Sequence, residues 1–443
     1  MLDRIYFAAP ACGRISSTPM ATPEPGTRRD VALLSALRFA RMAAHGGLAV
    51  VLALYLAERG LDANTIGALF GAILAGDTAL SLVLTTRADT WGRRRTLAAG
   101  AVLMCLAGLA FAQTADLTLL FMAGTLGVLS PGGQEVGPFL AVEQAALAQL
   151  APGAARTRVF AWHHLAGAAG SAAGSLAAGI ASHALLERGW PALAAYRAIV
   201  LAYAGVGAML LVGACTLGRT VEVTPTVDLA PRRGALGLHR SRGVVLRLSL
   251  LFGLDAFGGG FVLQGFLAYW FVLRHGADPA TLGWLFFGAN LASAASALSA
   301  ASLARKIGLV PTMVFTHLPS NLMLMAIPLM PDLGSAIGLL LARYTISQMD
   351  VPTRQAYMMA IVDPDERAAA AGVTGVARSL GVSLAPYLCG HLLARPALSS
   401  APFFVAGTLK VAYDLLLYRA FACVPAPRDG SDRGDGRGSS HAR

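Results

Sequence analysis

The chain has 443 residues, 56% of them hydrophobic and only 13% charged, with a mean hydropathy of +0.60. So few charges cannot clothe that much apolar side chain in water, which excludes a soluble globular protein and leaves a polytopic membrane protein. The net charge of +11 would point to nucleic acid in a soluble protein, but here the arginines gather in alternate loops between apolar runs, so no nucleic-acid partner is expected.

Residues 1–30 carry Pro, Thr and Arg without a sustained apolar run, and read as a disordered cytoplasmic arm rather than a cleavable signal peptide. A hydrocarbon core of about 30 Å needs about 20 helical residues per crossing. By that measure crossings are predicted at 31–57, 64–86, 95–113, 117–148, 157–182, 195–217, 244–272, 280–303, 311–330, 334–362, 367–393 and 401–423. The fourth contains the run from Ser130 to Pro138, rich in Gly and Pro, and is predicted to kink there. The polar stretch 218–243 is the longest internal loop and sits at the midpoint, as a cytoplasmic linker between a half at 31–217 and a half at 244–423. Residues 424–443 are rich in Gly, Ser, Asp and Arg and read as a disordered cytoplasmic tail. The expected fold is all-α, with twelve transmembrane helices in two pseudo-symmetric six-helix halves.

Arg87, Arg93 to Arg95, Arg156, Arg158, Arg219, Arg232, Arg233, Arg240, Arg242, Arg305, Lys306 and Arg367 fall in one set of loops. The opposite set carries only Arg59, Arg188, Arg197, Arg274 and Arg395. The richer set is therefore expected in the cytoplasm, with both termini inside and the protein in the cell (inner) membrane.

The two halves repeat one another. GLDANTIGALF, with Gly60, Asp62, Thr65, Gly67, Leu69 and Phe70, recurs as GADPATLGWLF, with Gly276, Asp278, Thr281, Gly283, Leu285 and Phe286. Ala88, Gly92 and Thr96 recur at the same offset as Ala304, Gly308 and Thr312. Glu143-Gln144-Ala145 through Arg156 matches Arg354-Gln355-Ala356 through Arg367. A duplicated apolar chain is a transporter signature, because the substrate path lies between the repeats.

The loop after the second crossing reads Arg87-Ala88-Asp89-Thr90-Trp91-Gly92-Arg93-Arg94-Arg95-Thr96-Leu97. It resembles the loop signature of the major facilitator superfamily, GxLaDrxGrrxxl, with Asp89, Gly92, Arg93, Arg94 and Leu97 on motif positions. Thr85 replaces the leading Gly and Arg87 the Leu, and the second copy has Arg305 where the Asp would sit. The resemblance covers about residues 31–423. It implies alternating access, a cavity lined by helices 1, 4, 7 and 10, and a charged loop around Asp89 and Arg93 that latches the halves in one state. The alternative for that loop is a basic segment that only fixes topology. Helix 5 carries the small pairs Gly170-xxx-Gly174 and Ser171-xxx-Ser175, which permit close helix approach. It looks like the antiporter motif of that superfamily without its proline, whose nearest counterpart is Pro386 in helix 11.

Ionisable groups at bilayer depth are costly and point to function. With the lining helices that the resemblance implies, Arg38, Arg41, Glu135, Asp255 and Asp350 are pathway candidates, joined by Asp77 on helix 2 and Arg378 on helix 11. Asp350 and Arg354, four apart, read as a structural ion pair, and Asp77 and Arg378 as partners across the halves. Glu143 and Arg354 occupy repeat-equivalent positions with opposite charge, either as complementary gate groups or as independent interfacial charges. Lys410 and Asp414 read as a structural pair on a peripheral helix, and His163 and His164 as interface markers. Trp270, Trp284 and Tyr269 read as an aromatic belt, and Arg343 as a group snorkelling outward.

Two transport readings stand. Buried acids and glycine-rich helices favour proton-coupled efflux of a small organic solute. Intramembrane arginines favour a symporter or exchanger of an anionic metabolite. The chain has no GxSxG, HExxH, P-loop or CxxC, and its five cysteines show no zinc spacing, so no enzyme activity, catalytic residue, cofactor or metal is expected. The expected partners are a solute, protons and the lipid bilayer, with the chain a monomer.

Overall fold

A computed structural model describes residues 25–135, 137–151, 154–222 and 238–421. The sequence-stretch assignments at 1–24, 223–237 and 424–443 lie outside these. Among the described residues the fold is all-helical. The first half comprises α1 (Pro25–Glu58), α2 (Ala63–Trp91), α3 (Arg93–Gln113), α4 (Leu117–Leu126) with α5 (Phe139–Leu150), α6 (Ala154–Glu187) and α7 (Ala192–Thr216). The second repeats the plan as α8 (Arg242–Gly260) with α9 (Gln264–His275), α10 (Pro279–Ile307), α11 (Leu309–Ala326), α12 (Leu333–Ser347) with α13 (Asp350–Ile361), α14 (Arg367–Leu393) and α15 (Ala401–Phe421). Among the described residues ten segments are long and apolar enough to cross a membrane, and paired shorter helices, α4 with α5 and α12 with α13, make the other two crossings.

Crossings four, seven and ten are each interrupted. In the fourth, Gly133 takes a φ of 67° and the Ser130 hydroxyl caps the Gln134 carbonyl at 2.8 Å, as the Gly/Pro run predicts. The seventh leaves helix after Gly258-Gly259-Gly260. The tenth, predicted continuous, breaks at Gln348–Met349. The cause is Pro352, which has no N–H to give the Gln348 carbonyl and whose ring would collide with it. These breaks expose backbone only where the halves face each other, as irregular backbone in a bilayer must.

The repeated segment has two structural jobs. Asp62 and Asp278 cap α2 and α10 by accepting the N–H of Thr65 and Thr281, each at 3.0 Å. Gly67 and Gly283, one turn on, are where the halves touch. A Cβ at Gly67 would strike the Pro386 carbonyl and lie 2.8 Å from Gly390 Cα on α14, and one at Gly283 would lie 3.0 Å from Gly179 Cα on α6. The seams α2–α14, α6–α10 and α1–α9 lie toward the arginine-poor end. The pieces α5, α8 and α13, at the arginine-rich end, pack chiefly within their own halves. The halves are therefore closed at one end and parted at the other. The small residues of α6 serve close packing, as predicted, with the Phe39 and Ala43 carbonyls filling the space beside Gly170 and Gly174.

At the arginine-rich end, Glu366 closes the loop before α14. Its carboxylate accepts the N–H groups of His239, Arg240 and Ser241 at 2.7, 2.8 and 2.8 Å, outside the membrane-spanning segments. Desolvation alone would raise its pKa, but the three donors outweigh it and hold the pKa at about 2. A depressed carboxylate contributes stability that is complete above the free value of about 4.3 and is lost as pH falls toward about 2. Thermal unfolding of the wild type is thus expected to weaken across that acid window. Glu366→Gln should flatten this dependence, and an unchanged acid profile in the variant would show that Glu366 is not its source.

Candidate functional site

Between the halves lies a cavity of about 650 Å³. Its first-half wall presents Asp77, Gln134 and Glu135, and its second-half wall presents Asp255, Asn290, Arg343, Tyr344, Arg378 and Lys410. Each wall is backed by a buried charge cluster.

In the first half, α1 supplies two arginines and the fourth crossing two glutamates. Arg41 grips Glu143 with both terminal nitrogens, at 2.6 and 2.9 Å, and reaches Glu135 at 2.7 and 3.0 Å. Arg38 adds a 3.2 Å contact to Glu135, and His163 Nε2 stands 3.3 Å from Glu143. Arg41 and His163 have no solvent exposure. His45, one turn along α1, is buried with neither ring nitrogen partnered and stacks on Tyr203. Asp77, although only partly buried, has no cation within ion-pair distance among the described residues and accepts the Gly137 N–H at 2.6 Å.

In the second half the signs are exchanged. Asp255 on α8 accepts from Lys410 Nζ at 2.6 Å and Arg354 Nη1 at 2.9 Å, with Arg378 Nη1 at 3.7 Å and His317 Nε2 at 3.8 Å. Arg354 also meets Asp350 at 3.4 Å. Behind them His317 Nδ1 lies 2.8 Å from Asp414, which accepts from Asn321 at 2.9 Å. Arg41–Glu143 joins crossings one and four, and Asp255–Arg354 joins the equivalent crossings seven and ten with the charges reversed. Arg343 is buried, lies 5.2 Å above the Tyr344 ring, and among the described residues has no carboxylate within 4.0 Å.

The family model described as Major Facilitator Superfamily matches residues 34–386. The chain belongs to that superfamily. It is a multi-pass integral membrane protein built on a transporter fold. Among relatives, it is 31% identical over 427 residues to the uncharacterized membrane protein YJR124C of Saccharomyces cerevisiae, covering 90% of this chain and 95% of that one. The fold resembles a bacterial homologue of the human lysosomal transporter Spinster in an inward-facing, unoccupied conformation, at 17% identity, a TM-score of 0.67, and 90% and 96% coverage of the two chains. It also resembles the D-xylose-proton symporter, at 15% identity, a TM-score of 0.65, and 89% and 97% coverage.

Against the expectations for a superfamily member, the structure places several residues differently. Glu143 and Arg354 do not meet; each is engaged within its own half, because the halves are parted at that depth. Asp77 pairs with backbone and not with Arg378, which leans toward Asp255 instead. Asp350 and Arg354 do pair. Lys410 and Asp414 are not a peripheral pair: α15 turns both inward, one to Asp255 and the other to His317. Arg343 does not snorkel outward, and His163 and Trp270 are buried, Trp270 against Phe403. The loop motif contacts its own half, not a latch across halves. Arg93 meets Asp89 at 3.2 Å and Gln149 at 3.0 Å, Arg94 donates to the Cys215 carbonyl, and Glu222 accepts the Arg93 N–H at 2.7 Å. Gly92, at a φ of 98°, makes the turn between α2 and α3. Sequence reasoning missed Lys410, His317 and Asn321 as members of the site. Their signal was a set of polar residues on the ninth and twelfth crossings, which the resemblance to the superfamily places at the periphery.

Proposed function

We propose that this protein is a proton-coupled secondary transporter of a small organic solute, working by alternating access in the cell membrane with both termini cytoplasmic. In that orientation the cavity opens inward, the Gly67 and Gly283 seams form the closed outer gate, and the Asp89–Arg93 loop latches the inner end when the halves rock together. The observation that carries the reading is Asp77. It is a carboxyl on the cavity wall with no cation within ion-pair distance among the described residues, placed to take up and release a proton as the cavity wets and dries. Glu135, Glu143 and Asp255 are each bound to arginine or lysine and act as fixed parts of the walls. Antiport would need solute and proton to exclude one another here, and symport would need them to favour one another. Arg343, which has no carboxylate within ion-pair distance among the described residues, favours symport or exchange of an anionic solute over efflux by antiport.

The test is Asp77→Asn in proteoliposomes, once a solute screen by thermal stabilisation has found a substrate. Solute exchange down its own gradient is expected to persist near the wild-type rate, while pH-driven accumulation falls to background. Wild-type accumulation in the variant would remove Asp77 as the proton carrier.

A further inference from the structure

Resting on the transport reading above, we infer that the solute is an organic oxyanion, held on the second-half wall by Arg343 and Arg378, and that it binds together with a proton on Asp77. Of the arginines at bilayer depth, Arg41 is consumed by Glu135 and Glu143, while Arg38 meets Glu135 at 3.2 Å with its Nε and Nη1 unpartnered but does not line the cavity. Arg354 is held between Asp255 and Asp350. Arg378 has only a 3.7 Å approach to a carboxylate that Lys410 and Arg354 already occupy, and its Nη1 has no hydrogen-bond acceptor. Among the described residues Arg343 has no carboxylate within 4.0 Å, its Nε has no hydrogen-bond partner, and its near neighbour is Tyr344. The second-half wall thus sets Arg343, Arg354, Arg378 and Lys410 against Asp255 and Asp350, with Asp414 turned away to His317 and Asn321.

A guanidinium without a carboxylate partner is costly in a bilayer, and Arg343 lines the cavity, where a ligand can compensate it. The guanidinium fork matches carboxylate and phosphate oxygens, two donors to two acceptors. Asn290, Tyr344 and Gln348 line the same cavity and offer neutral polar contacts for the remainder of the molecule. The cavity volume is that of a small-molecule site.

Asp77 supplies the coupling. Around it stand Glu135 from the interrupted fourth crossing, Tyr203 from α7 and Arg41 from α1; α14 brings Arg378 to the same cavity, and α3 brings no charge at this depth. An ionised Asp77 faces the incoming anion with like charge, and a protonated one does not. Anion and proton therefore favour each other's binding by the same factor, whichever arrives first.

The experiment uses the purified full-length protein, its thermal unfolding followed with a panel of small mono- and dicarboxylates, phosphate esters, neutral sugars and tetraphenylphosphonium, at mildly acidic and mildly alkaline pH. At least one carboxylate or phosphate ester is expected to stabilise the protein, more strongly at acidic pH, and the two arms decide which oxyanion it is. Arg343→Gln should weaken that binding by about tenfold or more, yet raise the melting temperature of the empty protein, since it removes a buried charge that no carboxylate pairs among the described residues. Arg343→Lys should recover part of the affinity, and Asp77→Asn should bind the anion alike at both pH values. Stabilisation by sugars or tetraphenylphosphonium alone, by nothing in the panel, or undiminished binding in Arg343→Gln would overturn the inference. Proton-linked transport of a neutral or cationic solute would overturn it while sparing the transport reading. Oxyanion binding with no flux in proteoliposomes would do the reverse.

Discussion

Asp255→Asn is expected to abolish transport and to destabilise the protein by about 3–5 kcal/mol, the usual effect of removing one partner from a buried ion cluster. Asp255 is the shared counter-ion of Lys410 and Arg354 and the nearest carboxylate to Arg378. Neutralising it leaves these cations in a wall that already holds an unpaired Arg343. The four groups come from α8, α13, α14 and α15, so their repulsion loosens most of the second half at once. Thermal unfolding in detergent reads this directly. Adding Lys410→Met to Asp255→Asn should restore part of the lost stability without restoring transport, because it removes one stranded charge but not the others. A single variant with wild-type melting would mean that the cluster does not hold the second half together.

Arg41→Gln is expected to have a comparable effect in the first half, again about 3–5 kcal/mol. Arg41 is fully buried and is the principal partner of Glu143, whose other contact is His163 at 3.3 Å. Removing it strands Glu143 and leaves Glu135 only the 3.2 Å contact to Arg38. The paired replacement Arg41→Met with Glu143→Met separates structure from function. Well-packed apolar residues of similar volume are often neutral or stabilising by about 1–4 kcal/mol in place of a buried ion pair. The double variant should therefore melt near the wild type, and its transport activity then reports what the charges do beyond holding α1 to α5. Melting as low as Arg41→Gln would show that stranded charge is not the cause of the single variant's loss.

The parts of this molecule that local chemistry controls were legible in its sequence. Apolar length placed the crossings, Gly and Pro marked the interruption in the run from Ser130 to Pro138, and the repeat that pairs Asp62 with Asp278 turned out to pair two helix caps. The tenth crossing carried the same kind of signal in Pro352, but the apolar runs on either side of it were long enough together to read as one crossing. Charge pairing was less legible because it depends on how each helix is rotated in the bundle. Lys410 and Asp414 are four apart and so share a helix face, which spacing reads as a pair. In the bundle that face points inward, where Asp255 and His317 compete successfully for them. Likewise, repeat alignment sets Glu143 against Arg354, although no alignment can say that each finds its counter-charge at home. The duplication foretold symmetric placement, and the structure shows one ion pair, Arg41–Glu143, answered by Asp255–Arg354 with the signs exchanged.

The most direct measurement is simultaneous recording of solute and proton flux in proteoliposomes containing the purified protein. Addition of a transported anionic solute is expected to move protons in the same direction as the solute. The ratio should be fixed, and Asp77→Asn should abolish the proton flux while leaving solute exchange. Robust solute transport with no accompanying proton movement, or with protons moving the opposite way, would contradict the account.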